Sequence, residues 1–167
     1  MSIWRERRME AVALGALAVA VVAFIAGWMT RDDPAEKPYL EIVGGGFIFN
    51  YRVADVFYGF TAQVMKPVPV GSIIVAEFED PAGGPPLVVE KRVNARTARY
   101  GLRSPTVHGV QADQLYKVSV RLYDWQRKEL LWQGEHAYSS RISDAIVPDK
   151  PLTIGPGYHR NPELPQG

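Results

Sequence analysis

The longest pattern in the sequence is an apolar run close to the N-terminus. Residues 11–29 carry no charged side chain, and no polar stripe divides them into two faces. An α-helix rises about 1.5 Å per residue, so this run would span about 28 Å, close to the thickness of a bilayer's hydrocarbon core. The run therefore predicts one transmembrane helix over residues 9–30. A buried core helix is the weaker interpretation, because it would carry a polar face.

After residue 38 the apolar positions recur with a period of two, which is typical of strands with one buried face. Leu40 and Ile42 share one face, and Glu41 lies on the other. The triplet at residues 44–46 is all glycine and predicts a turn or a β-bulge. Alternation then returns in five short runs, at residues 47–53, 58–64, 74–79, 87–93 and 99–103.

The clearest predicted strand pair comes near the end of this region. Its first strand directs one set of apolar side chains to a single face: Tyr116, Val118, Val120 and Leu122. A turn at residues 124–128 leads to a return strand that carries Leu130, Trp132 and Tyr138. Seven or eight short strands, without a helical period outside the apolar run, predict a mainly β fold. We expect an antiparallel immunoglobulin-like sandwich behind a single N-terminal transmembrane helix.

The stretch GVQADQLYKVSVRLYD, residues 109–124, resembles the penultimate strand of fibronectin type III and immunoglobulin-like domains. In those domains a turn and a tyrosine lead into alternating valines. The resemblance implies that Tyr116 is a corner tyrosine, which hydrogen-bonds a backbone group a few residues upstream. The tryptophan that these families often carry on an earlier strand is missing, since Trp125 and Trp132 come late. The resemblance implies a fold and no function.

These patterns divide the chain into five parts. Residues 1–8 form a short basic stub, and residues 9–30 form the helix. Residues 31–38 are charged and contain proline, which predicts a tether. The predicted sandwich covers residues 39–145. Residues 146–167 are rich in proline and glycine, which predicts an extended tail.

Charges beside the apolar run indicate its orientation. Arginines precede the run, whereas Asp32 and Asp33 follow its first flanking arginine, Arg31. Lys and Arg concentrate on the cytoplasmic side of membrane proteins, so we expect the N-terminus inside and residues 31–167 outside. The short tether and the cysteine-free domain suit the periplasmic side of a bacterial inner membrane.

The run is expected to remain as an uncleaved signal anchor. Cleavage stays open, because residues 18–20 show a small-x-small pattern, but bulky residues follow that site. Small residues also recur four positions apart, a spacing that lets helices approach closely in lipid. The alternative is that an alanine-rich run produces this spacing by chance. The positions predicted to form the anchor are Trp4, Arg5, Arg7, Arg8, Ala16, Ala20, Ala23, Gly27 and Trp28.

Composition removes several classes of function. A formal net charge of +1 argues against a dedicated nucleic-acid binder, which would be strongly basic. The chain contains no cysteine, which excludes disulfides, zinc–thiolate sites and thiol catalysis. The sequence also lacks a P-loop, a dinucleotide fingerprint, a nucleophile elbow and an H-E-x-x-H helix. We expect no cofactor and no bound metal.

The residues able to carry chemistry are scattered. His108, His136 and His159 lie far apart and show no metal-ligand spacing. Glu77 and Glu79 share one face of a strand, as paired catalytic carboxylates would, but a solvated strand face gives the same pattern. The serines have no adjacent base. We expect no catalytic residue, and an enzyme built from these glutamates and histidines is the third alternative.

Positive charge is concentrated between residues 91 and 128. If the fold brings these side chains together, they would contact anionic lipid headgroups or an acidic partner. The alternative is that they form an ordinary charged face in contact with solvent. Tryptophan and tyrosine are favoured in protein interfaces. Trp125 and Tyr158 are therefore candidates for a partner surface, unless the C-terminal tail folds back and covers them. The candidate binding residues are Arg99, Arg103, Lys117, Arg121, Trp125 and Tyr158.

The expected partners are the lipid bilayer and one or more proteins of a membrane complex, with no nucleic acid and with the oligomeric state left open. The leading hypothesis is an accessory, assembly or structural subunit that acts through protein–protein contacts. The alternative is an envelope binding module that holds an anionic lipid headgroup or a glycan on a basic sheet face.

Overall fold

The computed structural model describes residues 3–29, 37–157 and 159–164, without the side chains of residues 3–12. The chain divides into two compact units, Met1–Lys37 and Pro38–Gly167. The first unit contains one described helix, α1, from Ile3 to Met29. Every side chain from residue 13 to residue 29 is exposed, including the predicted anchor positions Ala16, Ala20, Ala23, Gly27 and Trp28.

Over the part of the chain that the structure describes, no helix is long and apolar enough to cross a membrane. The apolar run begins at Ala11, two residues before the first described side chain of α1. The remaining predicted anchor side chains lie outside the described residues: Trp4, Arg5, Arg7 and Arg8. Most of the predicted tether also lies outside them. The membrane span and its flanks therefore stay predictions.

Seven strands among the described residues of the second unit form two antiparallel sheets. The strands are β1 Leu40–Asn50, β2 Asp55–Val64, β3 Ile73–Phe78, β4 Leu87–Arg92, β5 Arg99–Arg103, β6 Leu115–Tyr123 and β7 Leu130–Ser139. One sheet has the order β1-β2-β5, and the other has the order β4-β3-β6-β7. The predicted mainly β, antiparallel and sandwich-like fold is confirmed.

The core lies between the two sheets and is rich in aromatic side chains. The ring of Tyr58 on β2 stacks on Phe47 at a centroid distance of 4.5 Å and meets Phe78 edge-on at 5.1 Å. The predicted inward face of β6 is confirmed, because all four of its members are buried: Tyr116, Val118, Val120 and Leu122. Side chains from both sheets therefore share one apolar cluster, and burying them is the main source of the sandwich's stability.

Tyr116 makes the hydrogen bond that the resemblance implied. The backbone N–H of Gln111, five residues upstream, donates to the Tyr116 hydroxyl at 2.8 Å. The hydroxyl also lies 3.5 Å from the carbonyl oxygen of Gly109. Tyr116 is almost completely buried, so this bond pairs a polar group that would otherwise lie unsatisfied in the core.

The glycine triplet lies inside β1 rather than in a turn. The register with β2 shifts between Ile42 and Gly44, so the predicted bulge is confirmed. The predicted strand over residues 47–53, however, ends at Asn50. The Asn50 side chain accepts a hydrogen bond from the N–H of Arg52, which starts a tight turn. Tyr51 and Val53 therefore lie in a hairpin turn, and their apolar alternation is not that of a strand.

The proline- and glycine-rich C-terminal segment is not uniformly extended. A 3₁₀-helix covers Asp144–Ile146, and two short strands, β8 Thr153–Ile154 and β9 His159–Arg160, pair antiparallel. The N–H of Thr153 donates to the carbonyl oxygen of Arg52 at 2.9 Å. The backbone N–H and the side-chain hydroxyl of Thr153 thus attach this segment to the β1–β2 turn, which composition alone does not predict.

Tyr58 makes the stability of the sandwich sensitive to alkaline pH. Burial raises the pKa of its hydroxyl, and the nearby charges of Glu79 and Asp80 raise that pKa further. The unfolded chain releases this proton near pH 10 and the folded chain only at higher pH. The stabilisation is therefore complete below about pH 10 and is lost as the pH rises above it.

We expect the free energy of unfolding to fall as the pH rises from about 10 to about 11, and to fall less steeply in Tyr58→Phe. Urea titrations at several pH values measure this slope. Tyr51→Phe is the matched control, because Tyr51 is exposed in the hairpin turn. Equal slopes for wild type and Tyr58→Phe would contradict the assignment to Tyr58.

Candidate functional site

The two glutamates that resembled a catalytic pair are engaged by the neighbouring strand. Glu77 forms an ion pair with Arg121 and accepts a hydrogen bond from the Ser119 hydroxyl at 3.3 Å. The carboxylate of Glu79 accepts the backbone N–H of Lys117 at 2.8 Å. They border a shallow hollow of about 290 Å³ on the four-stranded sheet. These partners give both glutamates a role in pairing β3 with β6.

The three histidines lie on separate elements. His108 lies in the β5–β6 connection, His136 on β7 and His159 on β9. Within residues 3–29, 37–157 and 159–164, no three His, Asp or Glu side chains are placed to hold a metal ion. Ser104 and Ser140 hydrogen-bond to nearby backbone groups through their hydroxyls. Their hydroxyls therefore have structural roles.

The predicted binding residues do not form a single basic face. Arg99 and Arg103 alternate with the buried residues of β5, so they lie on the outer face of the three-stranded sheet. Lys117 and Arg121 lie on the outer face of the other sheet, where Arg121 pairs with Glu77. Trp125 lies in the β6–β7 turn and is 59% exposed. Tyr158 lies outside the described residues.

The two sheets explain this separation. β5 and β6 follow each other in sequence, but they belong to opposite sheets. Residues that point away from the core on these two strands therefore point in opposite directions. The fold therefore does not bring these four cations to one sheet face, because sequence proximity does not give sheet membership.

A glycine-floored groove crosses the outer face of the three-stranded sheet. Thr61 on β2 pairs with Gly44 on one side and with Gly101 on the other, and Gly46 pairs with Gly59 in the next row. A Cβ atom added at Gly44, Gly46 or Gly101 would meet no atom within 4 Å. Space that side chains would otherwise fill is therefore open, and the groove has a volume of about 600 Å³.

Apolar and cationic side chains border one end of the groove. Ile48 is 53% exposed and pairs with Phe57 on the adjacent strand. The Arg103 guanidinium lies 4.2 Å from the centroid of the Phe57 ring, a cation–π distance. The sequence contained a signal for this site, since these glycines fall on outward positions of three strands, but the signal appears only once the register is known.

The fold and these surfaces define a mainly β, sandwich-like protein. No model of a protein family matches the sequence, and no curated protein matches it significantly. Among solved structures, the chain is similar to β-glucuronidase from Bacteroides uniformis at 13% identity and a TM-score of 0.38, over 61% of this chain and 13% of that chain. It is also similar to OgpA from Akkermansia muciniphila at 11% identity and a TM-score of 0.37, over 66% and 30% of the two chains. The chain thus spans a small part of these proteins, and likeness at this level carries no argument about function.

Proposed function

We propose that the protein is anchored in a membrane by α1 and acts as an accessory or assembly subunit of a membrane complex. One observation carries this proposal: every described side chain of α1, from residue 13 to residue 29, is exposed and uncharged. A helix that is apolar on all sides needs lipid or protein around it. The sandwich has a complete core of its own, so α1 is not needed to fill it.

The orientation follows from the charges at the ends of the helix. Arg5, Arg7 and Arg8 precede the apolar run, whereas acidic residues follow soon after it. This asymmetry supports a cytoplasmic N-terminus and a sandwich on the exterior side, in the periplasm of a bacterial cell.

For the fold we propose the immunoglobulin-like class in its fibronectin type III form. The three-stranded sheet β1-β2-β5 and the four-stranded sheet β4-β3-β6-β7 support this assignment. The hydrogen bond from the Gln111 N–H to the Tyr116 hydroxyl supports it independently, because a corner tyrosine is a hallmark of these sandwiches. Such folds present surfaces for binding, and their function depends on what those surfaces offer.

The surface proposed to bind a protein partner is the glycine-floored groove. Its floor exposes backbone and small side chains, while Ile48 offers an apolar contact beside the Arg103 guanidinium. A groove without projecting side chains admits the ridge of a helix or an extended segment from another protein. The proposal is a binding function without catalysis, because Glu77, Glu79, Ser104 and Ser140 are engaged in structural hydrogen bonds.

Site-directed crosslinking in native membranes tests this function. Because the chain contains no cysteine, one introduced at Ile48 carries a photoactivatable crosslinker at a single site. We expect the Ile48→Cys protein to give one defined adduct with another membrane protein. Ala137→Cys is the matched control, because Ala137 is exposed on the other sheet.

Filling the groove should abolish this adduct. Gly101→Leu places a side chain where a Cβ meets open space, so the fold should tolerate it. We expect the Ile48 adduct to fall by at least about tenfold, the effect of about 1.4 kcal/mol of lost binding. Recovery of monomer alone from Ile48→Cys, or an adduct unchanged by Gly101→Leu, would contradict the proposed partner surface.

A further inference from the structure

One end of the sandwich gathers the start of β1 and three connections between strands. Leu40 at the start of β1 pairs with Val64 at the end of β2. In the other sheet, Ile73 pairs with both Arg92 and Tyr123. The connections at residues 65–72, 93–98 and 124–129 therefore lie at the same end as residue 40. We call this the basal end, since the polypeptide that follows α1 joins the sandwich there.

Backbone hydrogen bonds hold the basal connections together. The N–H of Val64 donates to the carbonyl oxygen of Ala98, and the N–H of Gly71 donates to that of Val93, both at 2.8 Å. Between the connections lies an open hollow of about 400 Å³, bordered by Lys66, Asn94 and Arg96. The Lys66 ammonium lies 4.1 Å from the centroid of the Tyr39 ring, and cations at such a border attract anionic groups.

Two large apolar side chains project from the basal end. Val70 is 64% exposed and Trp125 is 59% exposed. The residue after Val70 lies beside Trp125, because the Cβ of Trp125 lies 3.4 Å from the position that a Cβ would occupy at Gly71. Exposed tryptophan beside aliphatic side chains is the composition of membrane–water interfaces, where the indole lies at the level of the headgroups.

The basal end also carries several exposed cations. The exposed cations of the basal end are Lys91, Arg92, Arg96, Arg99, Arg127 and Lys128. Two acidic groups there are already engaged: Glu90 pairs with Arg127, which neutralises one of these cations, and the Asp124 carboxylate accepts three backbone N–H groups of its own turn. These hydrogen bonds hold the pKa of Asp124 below its ordinary value. Glu41 and Glu129 are the other acidic residues near this end.

The opposite end of the sandwich carries both signs of charge. It contains the β1–β2 turn, the β3–β4 turn and the β5–β6 connection. Its acidic residues lie among a similar number of cations: Asp55, Glu79, Asp80, Asp113 and Asp144 beside Arg52, Arg103, Lys117, Arg141 and Arg160. The basal end therefore has the larger excess of cations, and an anionic surface would attract it more strongly than the opposite end.

We propose that the basal end docks on anionic phospholipid headgroups of the bilayer that holds α1. The inference rests on the membrane anchoring put forward under the proposed function. Its independent support is the coincidence of exposed Trp125 and Val70, clustered cations and the point where the polypeptide joins the sandwich. By sequence, eight residues separate Met29 from Pro38, at most about 28 Å of extended chain, so headgroups lie within reach.

Docking orients the sandwich for its partner. With the basal end on the lipid, the strands stand away from the bilayer, and the groove bordered by Ile48 and Arg103 lies along the side of the domain. Membrane contact and partner contact thus use different surfaces of the same sandwich.

A fluorescent label at the basal end tests the proposal on the full-length chain. Val70→Cys and, as the matched control, Ala82→Cys in the β3–β4 turn each provide the sole thiol for an environment-sensitive dye. The labelled proteins are reconstituted in vesicles of phosphatidylcholine alone or of phosphatidylcholine with phosphatidylglycerol. We expect the dye at residue 70 to shift to shorter wavelength and to be quenched by lipid-borne quenchers only with phosphatidylglycerol. The dye at residue 82 should show neither effect.

Variants with reversed charge provide a second test of the docking proposal. Arg92→Glu with Arg96→Glu, in the Val70→Cys background, should remove the wavelength shift, whereas Arg141→Glu with Arg160→Glu at the opposite end should preserve it. Near-ultraviolet circular dichroism verifies that each variant is folded. A dye at residue 70 that stays in water, or that shifts equally in both lipids, would overturn docking on anionic headgroups.

Flotation of the same vesicles separates this inference from the proposed function. Protein that does not float with the lipid refutes membrane anchoring itself. Protein that floats, but whose label at residue 70 behaves like the label at residue 82, refutes docking alone. A wavelength shift found only in native membranes would assign the basal end to a protein partner and would also overturn the proposal.

Discussion

Gly59→Ala is expected to lower the free energy of unfolding by about 3 kcal/mol, the upper part of the range for overpacking. A Cβ atom at this position would lie 2.9 Å from the Cα of Arg103 and closer still to the carbonyl oxygen of Leu102. These are backbone atoms of the adjacent strand, so no side-chain rotation relieves the overlap. β2 is the central strand of its sheet, and a shift there disturbs its pairing with both β1 and β5.

Gly101→Ala is the matched control for this prediction. Gly101 lies on the adjacent strand, but its added Cβ would meet nothing within 4 Å. We expect its stability to stay within about 0.5 kcal/mol of wild type, as for most surface substitutions. Urea unfolding of the full-length chain in mild detergent, followed by tryptophan fluorescence, measures both. Equal losses in the two variants would show that the close approach of β5 to Gly59 is not the cause.

Leu17→Arg combined with Val21→Arg is expected to release the protein from the membrane. An arginine at the centre of a membrane-spanning helix costs about 3 kcal/mol on insertion scales, so two oppose insertion by about 6 kcal/mol. Both residues are exposed on α1 in the described structure, so the substitutions remove no packing from the sandwich. The measurement is the fraction of protein that remains in the membrane pellet after alkaline carbonate extraction.

Leu17→Ala combined with Val21→Ala controls for loss of side-chain volume and should remain in the pellet. The sandwich of the arginine variant should unfold at the same urea concentration as that of the wild-type protein. Retention of the arginine variant in the pellet would contradict anchoring by α1. Such a result would leave a membrane partner of the sandwich as the source of attachment.

The strands could be predicted from the sequence because the alternation of apolar and polar residues within a strand depends only on that strand's own residues. On β6, alternation of Tyr116, Val118, Val120 and Leu122 defines the buried face without reference to any other strand. The hydrogen bond of Tyr116 was implied by the resemblance to fibronectin type III and immunoglobulin-like domains, and its partner lies five residues upstream. The strand prediction failed at residues 51–53, where a single side chain ends the strand. The side chain of Asn50 starts a turn, although Tyr51 and Val53 continue the apolar pattern.

The surfaces were harder to predict because they depend on contacts between distant residues. Lys117 and Arg103 are close in sequence but lie on opposite faces of the sandwich, since consecutive strands belong to different sheets. Conversely, Gly44 and Gly101 are far apart in sequence and lie on either side of Thr61. Sheet order and register decide both arrangements, and neither can be read from local alternation.

The bulge beside Gly44 also affects how copies of the protein meet one another. β1 lies at the edge of its sheet, and an unpaired edge invites a strand of another molecule to add to it. The register shift between Ile42 and Gly44 breaks this edge into two short stretches, and the Tyr138 ring lies against Gly45 at the margin of the sheet. A strand from another molecule would therefore have no long, regular stretch of β1 backbone with which to pair. We expect this irregular edge to keep copies of the sandwich from polymerising, which would matter most if the proposed anchoring confines many copies to one surface.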